Sequence, residues 1–303
     1  MRAFFHLSCA VLALGCGTDT FVGPDSGGGG GDASGDVAVD SPIALDGATE
    51  AGVSPVDPNN LGNDLVLWLR AEDVIYDSGL KLASSWPDQS SYHRSIKLKT
   101  TTSPGACGTP GVYIHTNEIG THSTVSFCGA VAEAADAPEL QFGSDAPFVV
   151  ATVIEPGSPL TPDDCVVATK SSDLTQGGFA LVAPNMPGNQ AEAYLLQSDS
   201  HVVGAVSGVG EYHIVTMVRR KGTNGQSVLT LRVDAIATNQ NVPTQDVSES
   251  GAPFAIGGVD TGALMSHVIP GKVAEVLVVS NASSLADALP AGIDLYLKQK
   301  YGL

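Results

Sequence analysis

Basic residues are scarce in this chain. Lysine and arginine number 14 against 32 aspartates and glutamates, a formal net charge of −18 over 303 residues. So large an acidic excess repels phosphate backbones and argues against a nucleic-acid partner. Its pull on divalent cations and basic surfaces is weak and unspecific. Aromatics make up only 6 % of the residues, with two tryptophans, which disfavours a ligand held by extensive ring stacking. There is no Gly-x-Ser-x-Gly motif and no His-x-x-x-His pair, so the usual serine-hydrolase and zinc signatures are missing. "SGVGEY" at 207–212 has the glycines of a phosphate loop, but no helical pattern follows it. No apolar run approaches the roughly 20 residues that a spanning helix needs.

What is present is glycine, serine, threonine and valine, a composition that suits a β-rich exported protein. The first residues, "MRAFFHLSCAVLALGCG", place one charge, Arg2, before an apolar stretch from Ala3 to Leu14. That is the pattern of a secretory signal over 1–15. "LALGC" at 12–16 resembles a bacterial lipobox, which implies lipidation of Cys16. An ordinary signal peptide cut nearby is the alternative. Residues 16–60 then read as a tether. From 17 to 60 there are eight acidic residues, no lysine or arginine, and one aromatic, Phe21. Such a segment buries too little apolar surface to offset its ordering entropy. As a Gly-rich coil it would reach roughly 35–40 Å. A lipid at Cys16 and a folded region from 61 to 303 would display that region from the cell envelope, at the outer membrane or cell surface.

The folded region opens with "NDLVLWLRAEDV" at 63–74, where both alternating faces are largely apolar, a strand covered on two sides. Further strands are expected at 123–128, 147–155, 165–170, 178–184, 191–197, 201–206, 211–220, 227–234, 253–258 and 271–279, separated by turn residues. "RRKGTNGQSVLTLRVD" reads as a hairpin around Asn224-Gly225. One helix is expected, at the C-terminus. Asp287 is its N-cap, Leu289, Ile293 and Leu297 share a face, Lys298 and Lys300 favour its last turn, and Gly302 ends it. Many short strands and a single helix give an all-β sandwich.

Four segments, "LVLWLRAEDV", "SSWPDQS", "PFVVATVIEP" and "VAEVLVVSNAS…IDLYLKQKYGL", resemble bacterial laminin-G-like domains of the concanavalin A-like superfamily, in the family's order across 61–303. The resemblance implies a jelly-roll β-sandwich of two antiparallel sheets, with the termini close together and the C-terminal helix packed outside. It carries little about function. In that family the segment after Trp-x-Asp-x-Ser usually runs on through glycine and asparagine. Here it continues Ser91-Tyr92-His93.

That stretch, "SSWPDQSSYHRSIKL" at 84–98, supports two readings. In the structural one, Asp88 accepts backbone N–H groups to fix a turn and Trp86 buries its ring, with Trp68 in the neighbouring strand. In the functional one, Asp88 joins carbonyl oxygens at a Ca²⁺ site, or Tyr92, His93 and Arg94 contact a ligand. Glycosidases of the superfamily carry a Glu-x-Asp-x-x-Glu-like run, which is absent here. Glu72-Asp73 and Asp163-Asp164 are adjacent pairs that strands would point to opposite faces, and they read as solvated loop charge. His213 lies in a strand run and reads as core or sheet surface. The chain is therefore expected to be a non-catalytic binding or adhesion protein whose partner is a glycan or an envelope component. The alternatives are a structural or protein-contact module of the envelope and a polysaccharide-active enzyme. Tyr113, Tyr194 and Tyr212 are the aromatics whose placement the pattern leaves open.

Export places the remaining cysteines, Cys107, Cys128 and Cys165, where disulfides persist. Cys107 sits in the Pro/Gly loop "SPGACGTPG", Cys128 ends a strand, and Cys165 opens an apolar one and reads as a buried small hydrophobe. A Cys107–Cys128 bridge is expected, with Cys128–Cys165 as its rival.

Overall fold

The computed structural model describes residues 52–101, 109–144, 146–157, 165–174, 177–185, 190–198, 200–206, 210–260, 265–266, 268–269, 271–280 and 288–303. In chain order the first strands are β1 (Leu65–Arg70), β2 (Ile75–Tyr76), β3 (Ala83–Ser85), β4 (Ile96–Thr100), β5 (Gly111–Ile119), β6 (His122–Cys128) and β7 (Ala130–Ala134). There follow β8 (Phe148–Glu155), β9 (Cys165–Thr169), β10 (Phe179–Asn185), β11 (Gln190–Leu195), β12 (Ser200–Ala205) and β13 (His213–Lys221). The chain ends with β14 (Gln226–Val233), β15 (Ile236–Pro243), β16 (Phe254–Ile256), β17 (Val259–Asp260), β18 (Met265–Ser266), β19 (Lys272–Ser280) and the helix α1 (Ala288–Tyr301).

Two antiparallel sheets face each other in a jelly-roll sandwich. The first runs β15-β14-β13-β8-β19-β6-β5, with β1 also on β19; the second runs β12-β11-β10-β9-β16-β7-β4. On one side β19 is paired along its length with β8. On the other it meets β6 at Lys272 and Val273 and β1 from Glu275 onward. Between the sheets, Phe142, Phe148, Phe179 and Phe254 are buried to 1 % exposure or less. Their rings touch in sequence, with centroids 4.7 Å, 4.8 Å and 6.1 Å apart. Arg219 of β13 is fully buried beside them. Its guanidinium donates to the carbonyls of Phe142 (2.7 Å), Gly143 (2.9 Å) and Ala146 (2.7 Å).

The expectation that β1 is covered on both sides holds. Val66, Leu67 and Leu69 belong to the inter-sheet core, whereas Leu65 and Trp68 lie in a second cluster with Ile293, Leu297 and Tyr301 of α1. The helix packs outside the first sheet, and two buried carboxylates anchor it. Asp294 accepts from Thr216 Oγ1 at 2.7 Å and pairs with Arg232 Nε at 2.6 Å. Glu275 of β19, fully buried, accepts from Trp68 Nε1 (2.6 Å), Tyr301 Oη (2.8 Å), Tyr296 Oη (3.2 Å) and Lys300 Nζ (2.6 Å). Gly302, at φ +69°, turns the chain out of the helix. The expected N-cap, Asp287, lies outside the described residues.

Ordered contacts begin ahead of residue 61. Val56 N–H donates to Gly292 O at 2.9 Å, and a Cβ at Gly292 would fall 2.5 Å from Val56 Cγ2. The missing side chain lets the entering chain lie against the helix, so the two ends of the fold meet there. At the β13–β14 hairpin, Asn224 (φ +56°) and Gly225 (φ +73°) both take the left-handed conformation that the Asn-Gly signal implies. The strands without a sequence signal are β4, β5, β7 and β15, together with the short β2, β3, β17 and β18.

Cys128 ends β6, buried and disulfide-bonded. Cys107 and Cys16 lie outside the described residues. On one side of the segment holding Cys107, Thr101 N–H donates to Gly129 O at 2.9 Å; on the other, Gly111 stands directly opposite Cys128. Both of its ends therefore flank Cys128.

Candidate functional site

The Trp86–Arg94 turn is built almost entirely from internal bonds. Asp88, 4 % exposed, receives four donors. Its Oδ1 accepts from Trp68 N and Ser90 N, each at 2.9 Å. Its Oδ2 accepts from Ser90 Oγ and Arg94 N, each at 2.8 Å. Gln89 N–H donates to Trp68 O at 2.8 Å, which ties the turn to β1. Trp86 is 1 % exposed and its Nε1 donates to Arg70 O at 2.9 Å. Trp68, Trp86 and Asp88 thus bind the turn to β1. A carboxylate whose oxygens each face two donors would have to lose them to bind a cation, so these residues do not fit Ca²⁺. Among the described residues no group of three or more His, Cys, Asp or Glu side chains is placed to hold a metal.

The tip residues are also committed internally. Tyr92 packs against the core and its hydroxyl donates to Asn63 O at 3.2 Å. Arg94 covers the Tyr92 ring at 4.7 Å, donates to Val66 O at 3.0 Å and pairs with Glu139 at 2.9 Å. That hydrogen bond holds the Glu139 carboxyl below its ordinary pKa. Only His93 is exposed; its Nδ1 lies 3.3 Å from Asp88 O.

The other sequence candidates disperse over the molecule. His213 is buried and pairs with Asp234 at 2.8 Å. Glu72 is not free loop charge: it lies 2.7 Å from His122 Nδ1 and 3.5 Å from Lys300 Nζ. Asp163 and Asp164 lie outside the described residues. The Tyr113 hydroxyl donates to Thr109 O at 2.6 Å, and half-buried Tyr212 packs at the margin of the helix cluster.

Tyr194 is different. It stands on the outer face of the second sheet, in register with Ala180 of β10 and His201 of β12. The strand sequence explains this placement. In β11, Ala191, Ala193 and Leu195 face the core, so Glu192 and Tyr194 must face outward. The Tyr194 and His201 rings lie 5.1 Å apart with planes inclined by 30°. The Tyr194 hydroxyl donates to Glu192 Oε2. Beside them Val166, Ala180 and Val182, with Leu174 and Val259, make a buried apolar floor against which Tyr194 packs. The arrangement presents the Tyr194 and His201 rings and the Glu192 carboxylate together on the outer face of the sheet. It suits a ligand with one apolar face and hydroxyl donors. The expected recognition tip at Tyr92–Arg94 is not part of it. Glu192 and His201 were not singled out from the sequence, although outward spacing within "QAEAYL" was the signal that could have found Glu192.

No family model and no curated protein matches the chain. Solved structures do. The binding domain of Paraclostridial Mosquitocidal Protein 1 aligns at TM-score 0.50 and 10 % identity, over 77 % of this chain and 52 % of that one. The binding domain of Botulinum Neurotoxin DC in complex with SialylT aligns at TM-score 0.47 and 10 % identity, over 81 % and 52 %. Domain 4 of AbnA, an extracellular arabinanase from Geobacillus stearothermophilus, in complex with arabinotriose, aligns at TM-score 0.45 and 14 % identity, over 74 % and 97 %. The chain thus spans about half the length of the two toxin binding domains. The first of these likenesses agrees with the fold class that the strand order defines, an all-β jelly-roll sandwich.

Proposed function

We propose that this chain is a surface-displayed, laminin-G-like binding lipoprotein whose outer β10–β12 face takes a neutral or amino-bearing glycan. The observation that carries the reading is the Tyr194–His201 ring pair with Glu192 beside the apolar floor. β10, β11 and β12 contain no lysine or arginine, so an anionic sugar would meet Glu192 with no compensating charge from these strands. A sandwich domain solved in complex with arabinotriose is in keeping with a neutral glycan ligand. A glycan array probed with the protein is expected to light up at neutral or amino sugars. Signal confined to sialylated or uronate glycans, or no signal, would contradict the reading.

The lipid anchor at Cys16, the tether and display at the outer membrane or cell surface belong to the same proposal, supported by the lipobox-like "LALGC" and the acidic, glycine-rich stretch after it. Mass spectrometry of the mature, unreduced protein is expected to find a lipidated Cys16 at the N-terminus and one peptide linking Cys107 to Cys128. An unmodified terminus beyond residue 16 counts against the anchor. A linked peptide containing Cys165 counts against the pairing.

A further inference from the structure

The other sheet carries a second group of functional side chains. On its outer face Tyr113, Ser126, Lys272 and Glu155 form one row across β5, β6, β19 and β8, each in register with the next. His115 and Glu118 of β5 stand beside this row. Ser126 Oγ lies 2.8 Å from His115 Nε2. On the ring's other side, Nδ1 lies 3.9 Å from Glu118 Oε1. Lys272 reaches Glu118 and Glu155, each at 3.0 Å. The His115 and Glu118 side chains are each 33 % exposed, so a reactant can approach them.

A hydroxyl, an imidazole and a carboxylate in this order are the parts that activate a serine: nucleophile, base and orienting group. For the Ser126 hydroxyl to donate to Nε2, the ring proton must sit on Nδ1, the side on which the Glu118 carboxylate lies 3.9 Å away. Burial, and then the Lys272 charge, hold His115 below its ordinary pKa, against the opposing pull of Glu118 and Glu155. The ring is therefore the neutral base that such a step needs at pH 7. Its charged neighbours are Lys272 from β19, Glu155 from β8 and Glu118 from its own strand.

We propose that Ser126 accepts the acyl group of small carboxylic esters, with His115 as its base and Glu118 positioning the ring. Ser126 Oγ forms a bond to the acyl carbon while its proton passes to His115 Nε2. The ester C–O bond breaks and the alcohol leaves with that proton. Water then attacks the acyl-serine and gives a proton to His115, which returns it to Ser126 Oγ as the carboxylic acid departs. No co-reactant other than water is required. Lys272 is the register partner of Ser126 on β19, and its ammonium is held by Glu118 and Glu155.

The test is 4-nitrophenyl acetate with the intact chain, read by nitrophenol release and by mass spectrometry of the acid-quenched protein. An acetyl adduct on Ser126 is expected. Ser126→Ala is expected to abolish it, and His115→Gln to slow release by about 100-fold or more, the usual worth of a positioned base. Glu118→Gln should slow release less and shift its pH profile, because its role runs through the ring. The wild-type rate should rise as His115 loses its proton and be level by neutral pH. No adduct at Ser126, an adduct elsewhere, or undiminished release by Ser126→Ala would each overturn the proposal. Adduct mapping on the wild-type chain decides the matter even where a variant folds poorly.

Discussion

Asp88→Ala is expected to lower the unfolding free energy by about 3–5 kcal/mol, because it strips a buried carboxylate from several donors at once. Trp68 N, Ser90 N, Ser90 Oγ and Arg94 N would all lose their acceptor inside the fold. Water cannot replace it where Asp88 is 4 % exposed. The change would also release the 84–98 turn from β1, the strand that carries Trp68 between the inter-sheet core and the helix. Urea unfolding followed by tryptophan fluorescence measures it, with the midpoint lowered and the slope unchanged. Calcium chelation should leave the wild-type midpoint where it is. A loss below about 1 kcal/mol, or a midpoint that falls on chelation, would mean that Asp88 serves something other than the turn.

Glu275→Ala is expected to have an effect of similar size, also about 3–5 kcal/mol, since it removes one partner from a buried, hydrogen-bonded charge pair. Its carboxylate joins β19 to β1 through Trp68 and to α1 through Tyr296, Lys300 and Tyr301. The damage should be directional. Asp294 still holds the middle of the helix through Thr216 and Arg232, so the end bearing Tyr301 should loosen first. Limited proteolysis with a lysine-specific protease is expected to cut the variant at Lys298 or Lys300 while the sandwich stays intact. Cleavage no faster than in the wild type would show that apolar packing alone fixes the helix.

The unevenness of what the sequence reveals has a physical origin. β8, β13 and β19 stand out because they are buried on nearly every side chain, which forces long apolar runs. β4 (IKLKT) and β15 (IATNQNVP) lie at sheet edges, with exposed, polar faces. Strand pairing fixes them, not their own propensity. The helix was readable to its end because its apolar spacing, lysines and terminal glycine agree. The Trp86–Arg94 turn was readable as a turn, but its polar tip also looked like a binding surface. Nothing in one sequence says that Arg94 will reach back to Val66 and Glu139. The Tyr194 face was hidden for the opposite reason. Tyr194 and His201 come from different strands, and only the β11–β12 register sets their rings together. The Ser126–His115 contact depends in the same way on the β5–β6 pairing.

The claim that the β10–β12 face binds glycan is tested most directly by titration calorimetry of wild type, Tyr194→Ala and Tyr113→Ala against the strongest array ligand. Burying an aromatic side chain against a ligand is worth about 1.5–3 kcal/mol, so Tyr194→Ala should weaken binding by about 10-fold or more. Tyr113→Ala, on the other sheet, should bind as the wild type does. Equal affinity in wild type and Tyr194→Ala, or a loss only in Tyr113→Ala, would contradict the assignment of the site.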